Sequence, residues 1–172
     1  MGYSRSRHHP SMASYVYGTK DGREIIDLHE TSRKLDEVTT ALSGAVVNGK
    51  SVLFVGGKKE AQESIRTAGE QLGMPYVTGR WIGGTLSNFK QIRKQVDKLQ
   101  SLREQREKGE LGKYTKREQL AFDREIEDLE RYYAGLVELT DLPAALLVVD
   151  PDQEHIAVHE ARVRNIPVYA IA

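Results

Sequence analysis

The sequence predicts an α/β protein: a mainly parallel sheet covered by helices, with a protruding antiparallel coiled-coil helical hairpin and an N-terminal β-hairpin. Three observations carry this prediction. Continuous apolar runs within 51–55, 142–149 and 166–171 read as strands buried on both faces, the form that strands take in a parallel sheet. Segments with apolar residues at three- and four-residue steps alternate with these runs, which gives strand–helix–strand units. The longest helical patterns, Phe89-Ile92-Val96-Leu99-Leu102 and Phe122-Ile126-Leu129-Tyr133-Leu136, have the narrow apolar seams of two helices that pack on each other.

Composition bounds the class. A chain of 172 residues holds one well-buried core with an appended element, not two ordinary domains. The expected organisation is a discontinuous sheet domain, 1–88 and 137–172, carrying an inserted helical hairpin, 89–136. With 39% hydrophobic residues, 29% charged residues and no cysteine, the chain suits a cytoplasmic protein without disulfides or thiolate metal sites. No apolar run approaches the roughly 20 residues of a membrane helix, and Met1-Gly2-Tyr3-Ser4-Arg5 lacks the apolar centre of a signal peptide. The formal net charge is zero but unevenly spread. Residues 1–98 carry 15 Lys/Arg and 10 Asp/Glu, a balance of +5, and residues 99–172 carry 10 and 15, a balance of −5. One part of the molecule is therefore suited to face a polyanion.

In chain order, Arg5-Ser6-Arg7-His8-His9-Pro10 has no apolar period and reads as a charged tail; two adjacent histidines make no metal site by themselves. Asp21-Gly22 between the apolar runs at 15–18 and 24–28 is a hairpin signal. From Glu30 the period becomes helical through Leu35, Val38, Leu42 and Ala45, and Asn48-Gly49 ends the pattern. The strand at 51–55 runs into Gly56-Gly57-Lys58-Lys59, and a helix follows with Ala61, Ile65, Ala68 and Leu72 on one face before Gly73 and Pro75 stop it. A glycine turn feeding a lysine-bearing helix start is a phosphate-binding arrangement in general form. The specific nucleotide fingerprints G-x-x-x-x-G-K-(S/T) and G-x-G-x-x-G are absent.

The segment 74–94 is the most informative. Gly79, Gly83 and Gly84 let the loop bend and lie against a surface, Arg80 offers a bidentate phosphate donor and Trp81 a stacking face, and a lone tryptophan beside glycines also commonly packs its own loop. Thr85 or Ser87 is positioned to cap a helix whose first turns carry Lys90, Arg93 and Lys94. Further on, residues 109–114 supply a reversal, Thr115-Lys116-Arg117-Glu118 is a capping box that starts the return helix, and Asp150-Pro151-Asp152 turns the chain into its last helix and strand.

Three strings resemble one family. Arg80 to Arg93 is similar to the pattern Arg-Trp-(Leu/Ile)-Gly-Gly-x-Leu-(Ser/Thr)-Asn-Phe-Lys-x-Ile-Arg of the second protein of the small ribosomal subunit, the universal S-two family. Phe54 to Ile65 matches its Phe-Val-Gly-x-Lys-Lys-x-Ala-x-x-x-Ile pattern, and Leu142 to Val168 matches its pattern of Leu-Pro, Val-Val-Asp, Glu-Ala and Ile-Pro-Val. The resemblance runs from Gly2 to Ala172. It implies a structural ribosomal protein, not an enzyme, with a Rossmann-like sheet domain carrying a helical hairpin. It implies small-subunit ribosomal RNA and other small-subunit ribosomal proteins as partners, in the cytoplasmic ribosome, with no cofactor, no metal, no membrane and no small-molecule substrate. The candidate RNA-binding residues are Arg5, Arg7, Lys58, Lys59, Arg80, Trp81, Lys90, Arg93 and Lys94. Against the family pattern, an opening helix and a closing Asp-Thr-Asn turn with a further strand and helix are lacking, so the resemblance implies a chain clipped at both ends.

Two other classes compete. A phosphate- or nucleotide-binding α/β enzyme would use the Gly56-Gly57-Lys58-Lys59 turn with Asp150 on the neighbouring strand end, yet no nucleophile elbow or metal-ligand cluster accompanies them. A coiled-coil adaptor would use the hairpin alone.

Overall fold

The computed structural model of the protein describes residues 2–4 and 10–171. The chain forms two compact units, Met1–Gly44 and Ala45–Ala172.

The first unit is built on an antiparallel sheet of β1 (Gly2–Ser4), β2 (Val16–Lys20) and β3 (Arg23–Ile26), in the order β1-β3-β2. Asp21 and Gly22 join β2 to β3 with φ of 50° and 72°, the paired left-handed conformation of a tight hairpin turn that matches strand twist. The sequence predicts two strands here, and β1 adds a third. Helix α1 (Leu28–Val47) opens at Asp27, whose Oδ1 accepts from the backbone N of His29 at 2.8 Å, an N-cap. None of its residues is buried, and Leu35 stays 63% exposed, so its apolar stripe lies open along the helix.

The second unit is a four-stranded parallel sheet of β4 (Val52–Val55), β5 (Tyr76–Val77), β6 (Ala145–Val149) and β7 (Val168–Ile171), ordered β5-β4-β6-β7. All four residues of β4 are buried, as a central parallel strand requires. Val52 aligns with Ala145 and Val55 with Val148 across the pair. Helix α2 (Lys59–Leu72) follows β4 and ends at Gly73, left-handed at φ 60°. The chain pairs β5 on one side of β4 and later returns to place β6 on the other, so the C-terminal ends of β4 and β6 frame the crevice where open α/β sheets accept ligands.

Helices α3 (Phe89–Glu107) and α4 (Lys116–Tyr133) form the antiparallel pair. Gly109, left-handed at φ 69°, and a 3₁₀ turn over Glu110–Lys113 reverse the chain between them. The capping box is present: Thr115 N donates to Glu118 Oε2 at 2.9 Å, and Glu118 N donates to Thr115 Oγ1 at 3.4 Å. Leu99, Leu102, Ile126 and Leu129 pack as a separate cluster, and Tyr133 packs against both that cluster and the sheet core. The start of α3 differs from expectation. Neither Thr85 nor Ser87 caps it; the N-cap is Asn88 without a side-chain bond, because Thr85 Oγ1 donates to Ile82 O at 2.7 Å and Ser87 Oγ reaches Glu160 Oε2 at 3.2 Å.

A separate seam makes a distinct prediction. Leu102→Ala should cost about 2 kcal/mol, the low end for a buried large-to-small change, since a two-helix seam can partly collapse. Amide exchange should quicken along α3 and α4 while β4 and β6 stay protected. Exchange that quickens equally in the strands would make the hairpin part of one core.

Candidate nucleic-acid interface

The glycine loop is organised from α5 (His155–Val163), the helix between β6 and β7. Glu160 is buried to 6% exposure, and its two carboxylate oxygens receive five hydrogen bonds from one short stretch of chain. Oε1 accepts from Gly84 N at 2.6 Å and Trp81 Nε1 at 3.3 Å. Oε2 accepts from Leu86 N at 2.9 Å, Ser87 N at 3.1 Å and Ser87 Oγ at 3.2 Å. Burial pushes this carboxyl up, and the hydrogen bonds from Gly84, Leu86, Ser87 and Trp81 more than reverse that, leaving it below the ordinary glutamate value. One helical turn on, Arg164 donates from Nε to Leu86 O at 3.0 Å and from Nη2 to Ser87 O. Donors and acceptors of the loop are thus both held from one helix, and the loop presents a fixed shape to whatever meets it. Gly84 at φ 97° supplies the conformation that brings its own N–H onto the carboxylate.

The crevice at the ends of β4 and β6 is occupied by the protein's own groups. Gly57 N donates to Glu154 Oε1 at 3.1 Å, so a carboxylate sits where a ligand phosphate would meet the start of α2. A Cβ on Gly57 would lie 2.5 Å from that oxygen. Lys58 Nζ pairs with Asp150 Oδ2 at 3.1 Å, which lowers the Asp150 pKa and raises that of Lys58. Glu154, 5% exposed, is pushed above the ordinary range by burial, with the Gly57 N–H acting in the opposite direction.

A raised folded-state carboxyl gives stability that is full below the unfolded value and is lost as pH rises through the folded one. Glu154→Gln keeps an acceptor for Gly57 N and removes the charge. The variant should therefore gain thermal stability relative to the parent at pH 7, with the difference vanishing near pH 4. A variant less stable at both pH values would overturn this account.

The predicted site residues separate into groups. Lys59, Arg80, Lys90 and Lys94 are exposed, and no ion pair engages them among the described residues. Lys58 is half-exposed and paired to Asp150. Arg93 turns inward, donating from Nη1 to Val137 O and to Leu139 O, each at 3.2 Å, and pairing through Nε with Asp97 at 2.9 Å; it ties α3 to the segment before β6. Trp81 is 6% exposed and belongs to the sheet core, so its ring has no free face for stacking in this conformation. Arg5 and Arg7 lie outside the described residues. Sequence reasoning misses Glu160, Glu154 and Arg164. Their only sequence signal is that they fall within the family pattern from Leu142 to Val168, and the loop that Glu160 and Arg164 hold is more than 70 residues away in the chain. Among the described residues no group of three or more His, Cys, Asp or Glu could hold a metal ion, and no helix is long and apolar enough to cross a membrane.

A family model described as "Ribosomal protein S2" matches residues 1–172. Among curated proteins, the chain is 42% identical over 170 residues to "Small ribosomal subunit protein uS2" of Sorangium cellulosum, covering 99% of this chain and 61% of that protein. It is 42% identical over 170 residues to the protein of the same name from Cytophaga hutchinsonii, covering 99% and 67%. It is 43% identical over 169 residues to that of Sulfurimonas denitrificans, covering 98% and 65%. The chain spans roughly two thirds of the length of these relatives, and 61% of the first.

Proposed function

The chain belongs to the ribosomal protein S2 family, and from this membership we propose that it is a structural constituent of the small ribosomal subunit, binding small-subunit ribosomal RNA and neighbouring ribosomal proteins during assembly and translation. The observation that carries the reading is the match of the whole chain to the family model. The geometry supports it from two sides. A loop held rigid by Glu160 and Arg164 ends in a helix start with Lys90 and Lys94 exposed, and Arg80 is exposed on the loop itself; a backbone already ordered spares that part of the cost when these cations meet phosphate. The phosphate seat that a nucleotide enzyme would need is filled by Glu154.

In this reading Lys59, Arg80, Lys90 and Lys94 are the RNA-facing cations, Lys58 joins them where phosphate competes with Asp150, and Arg93 and Trp81 shape the surface from beneath. Parallel titrations of the purified chain with small-subunit ribosomal RNA and with ATP, each at two salt concentrations, test it. The expected result is RNA binding that weakens steeply with salt and no saturable ATP binding. Tight ATP binding without RNA binding would replace this reading with the nucleotide enzyme.

A further inference from the structure

A cleft of about 430 Å³ lies within the same unit, between α2, the end of β5 and the last turn of α4. Three guanidiniums border it from three segments: Arg66 on α2, Arg80 on the loop and Arg131 on α4. Among the described residues no hydrogen bond or ion pair engages Arg66 or Arg80. Arg131 has one ion-pair neighbour, Asp128 at 4.0 Å, with side chains 67% and 71% exposed, which solvent largely screens. Of the two acidic residues on the rim, only Glu130 is paired with a cation, and three guanidiniums remain against the Glu70 carboxylate. Glu130 Oε1 accepts from Arg103 Nε at 2.9 Å, and Glu70 Oε1 accepts from the Tyr76 hydroxyl at 3.0 Å. The cleft therefore carries more positive charge than its own carboxylates answer.

The backbone fixes this arrangement. A Cβ at Gly69 would stand 2.4 Å from the Tyr76 ring, and one at Gly135 would stand 2.2 Å from the Tyr76 carbonyl oxygen, so only glycines let α2 and the end of the hairpin close on β5 and bring Arg66 and Arg131 to one opening. Arginine stays charged at every working pH, and its planar fork meets phosphate oxygens in pairs. Tyr132, 40% exposed, stands at the rim with a face for an unstacked base.

We infer that this cleft is a seat for a backbone phosphate of RNA, contacted by Arg66 and Arg131 in addition to Arg80. The inference rests on the RNA-binding reading and adds to it two contacts, Arg66 and Arg131, that the 80–94 segment does not supply. Free phosphate and nucleotides offer the same chemistry. Three guanidiniums bordering the cleft, with Tyr132 as an exposed aromatic at its edge, suit a backbone phosphate rather than a nucleotide buried whole.

The test compares the full chain with the double variant Arg66→Gln/Arg131→Gln, with Arg66→Lys/Arg131→Lys, and with Arg162→Gln, an exposed charge on α5 outside the cleft. Binding of small-subunit ribosomal RNA, inorganic phosphate and ATP is measured across a salt series, with circular dichroism melts as the check on folding. The glutamine pair should lower the log–log salt slope for RNA by about 0.7–0.9 for each phosphate that is no longer neutralised, and weaken binding about tenfold or more. The lysine pair should keep the slope while giving up part of the affinity, and Arg162→Gln should change neither. A glutamine pair that melts normally and binds RNA with parental slope, while Lys90→Gln/Lys94→Gln lowers it, overturns the cleft and leaves the RNA reading standing. Absence of RNA binding in the parent overturns both. ATP binding abolished in the glutamine pair, with RNA binding intact, overturns the assignment to RNA.

Discussion

Glu160→Ala should destabilise the sheet unit by about 3–5 kcal/mol, the largest effect expected of a single substitution outside the apolar core. The carboxylate collects five hydrogen bonds, and the Leu86 N–H and Trp81 Nε1–H are buried with it. Removing the acceptor strands those two donors at about 1–3 kcal/mol each, and the partly exposed Gly84 and Ser87 groups recover some of their loss from water. For a chain of this size the thermal midpoint should fall by about 10 °C. The protein has one tryptophan, so emission reports the site directly: the Trp81 indole should move to longer wavelength in the variant before global unfolding.

The pH dependence separates this residue from Glu154. The Glu160 carboxyl is held below its ordinary value, so its contribution is present above the unfolded pKa and is lost as pH falls through the folded one. Glu160→Ala should therefore lose most, relative to the parent, at neutral pH and progressively less in acid. The Glu154→Gln variant runs the other way, gaining at neutral pH. A Glu160→Ala protein within about 1 kcal/mol of the parent at pH 7, with unshifted emission, would mean that the glycine loop holds its shape without α5.

The parts of the fold that are legible in the sequence are those fixed by near neighbours. The capping box at Thr115 and Glu118, the left-handed turn at Asp21-Gly22 and the seam of Leu99, Leu102, Ile126 and Leu129 follow from spacing within a few residues. The unbroken run Val52–Val55 reads as a central strand because burial on both faces leaves no polar alternation. The uses of polar groups are not legible. Nothing local says that the Trp81 N–H ends on Glu160, that Glu154 closes the Gly57 turn, or that Arg93 caps the carbonyls of Val137 and Leu139. Each depends on which elements the sheet order brings together. Arg93 and Lys94 look equivalent in sequence, yet one turns to the segment before β6 and the other to solvent, because α3 lays Ile92 and Val96 against the core and Arg93 borders that stripe. Arg80 and Trp81 divide in the same way: the apolar ring is buried in the sheet core and the guanidinium stays exposed.

That division sets the expected result for RNA binding. Replacing Lys59, Arg80, Lys90 and Lys94 together by glutamine should reduce the salt slope of small-subunit RNA binding by about 3 units, from about 0.7–0.9 per phosphate neutralised, with affinity at low salt falling by two orders of magnitude or more. Stability should change little, because these side chains are exposed and have no ion-pair partners among the described residues. Arg93→Gln should do the opposite. Its guanidinium holds two backbone carbonyls, so the melt should drop by a few degrees while the slope stays near the parental value. Trp81→Ala should behave like Arg93→Gln, losing stability first, since a 6% exposed indole contributes to the surface by shaping it. The control is the acidic side of the hairpin: Asp123→Asn/Glu127→Gln removes two exposed charges on α4 and raises net charge by two. Contact-specific binding predicts a slope unchanged by that pair, because counterion release counts phosphates neutralised rather than total charge. If the pair instead strengthens binding as much as two of the lysine changes weaken it, the RNA is held by the diffuse field of the whole molecule, and the fixed loop with its neighbouring helix start is not the interface.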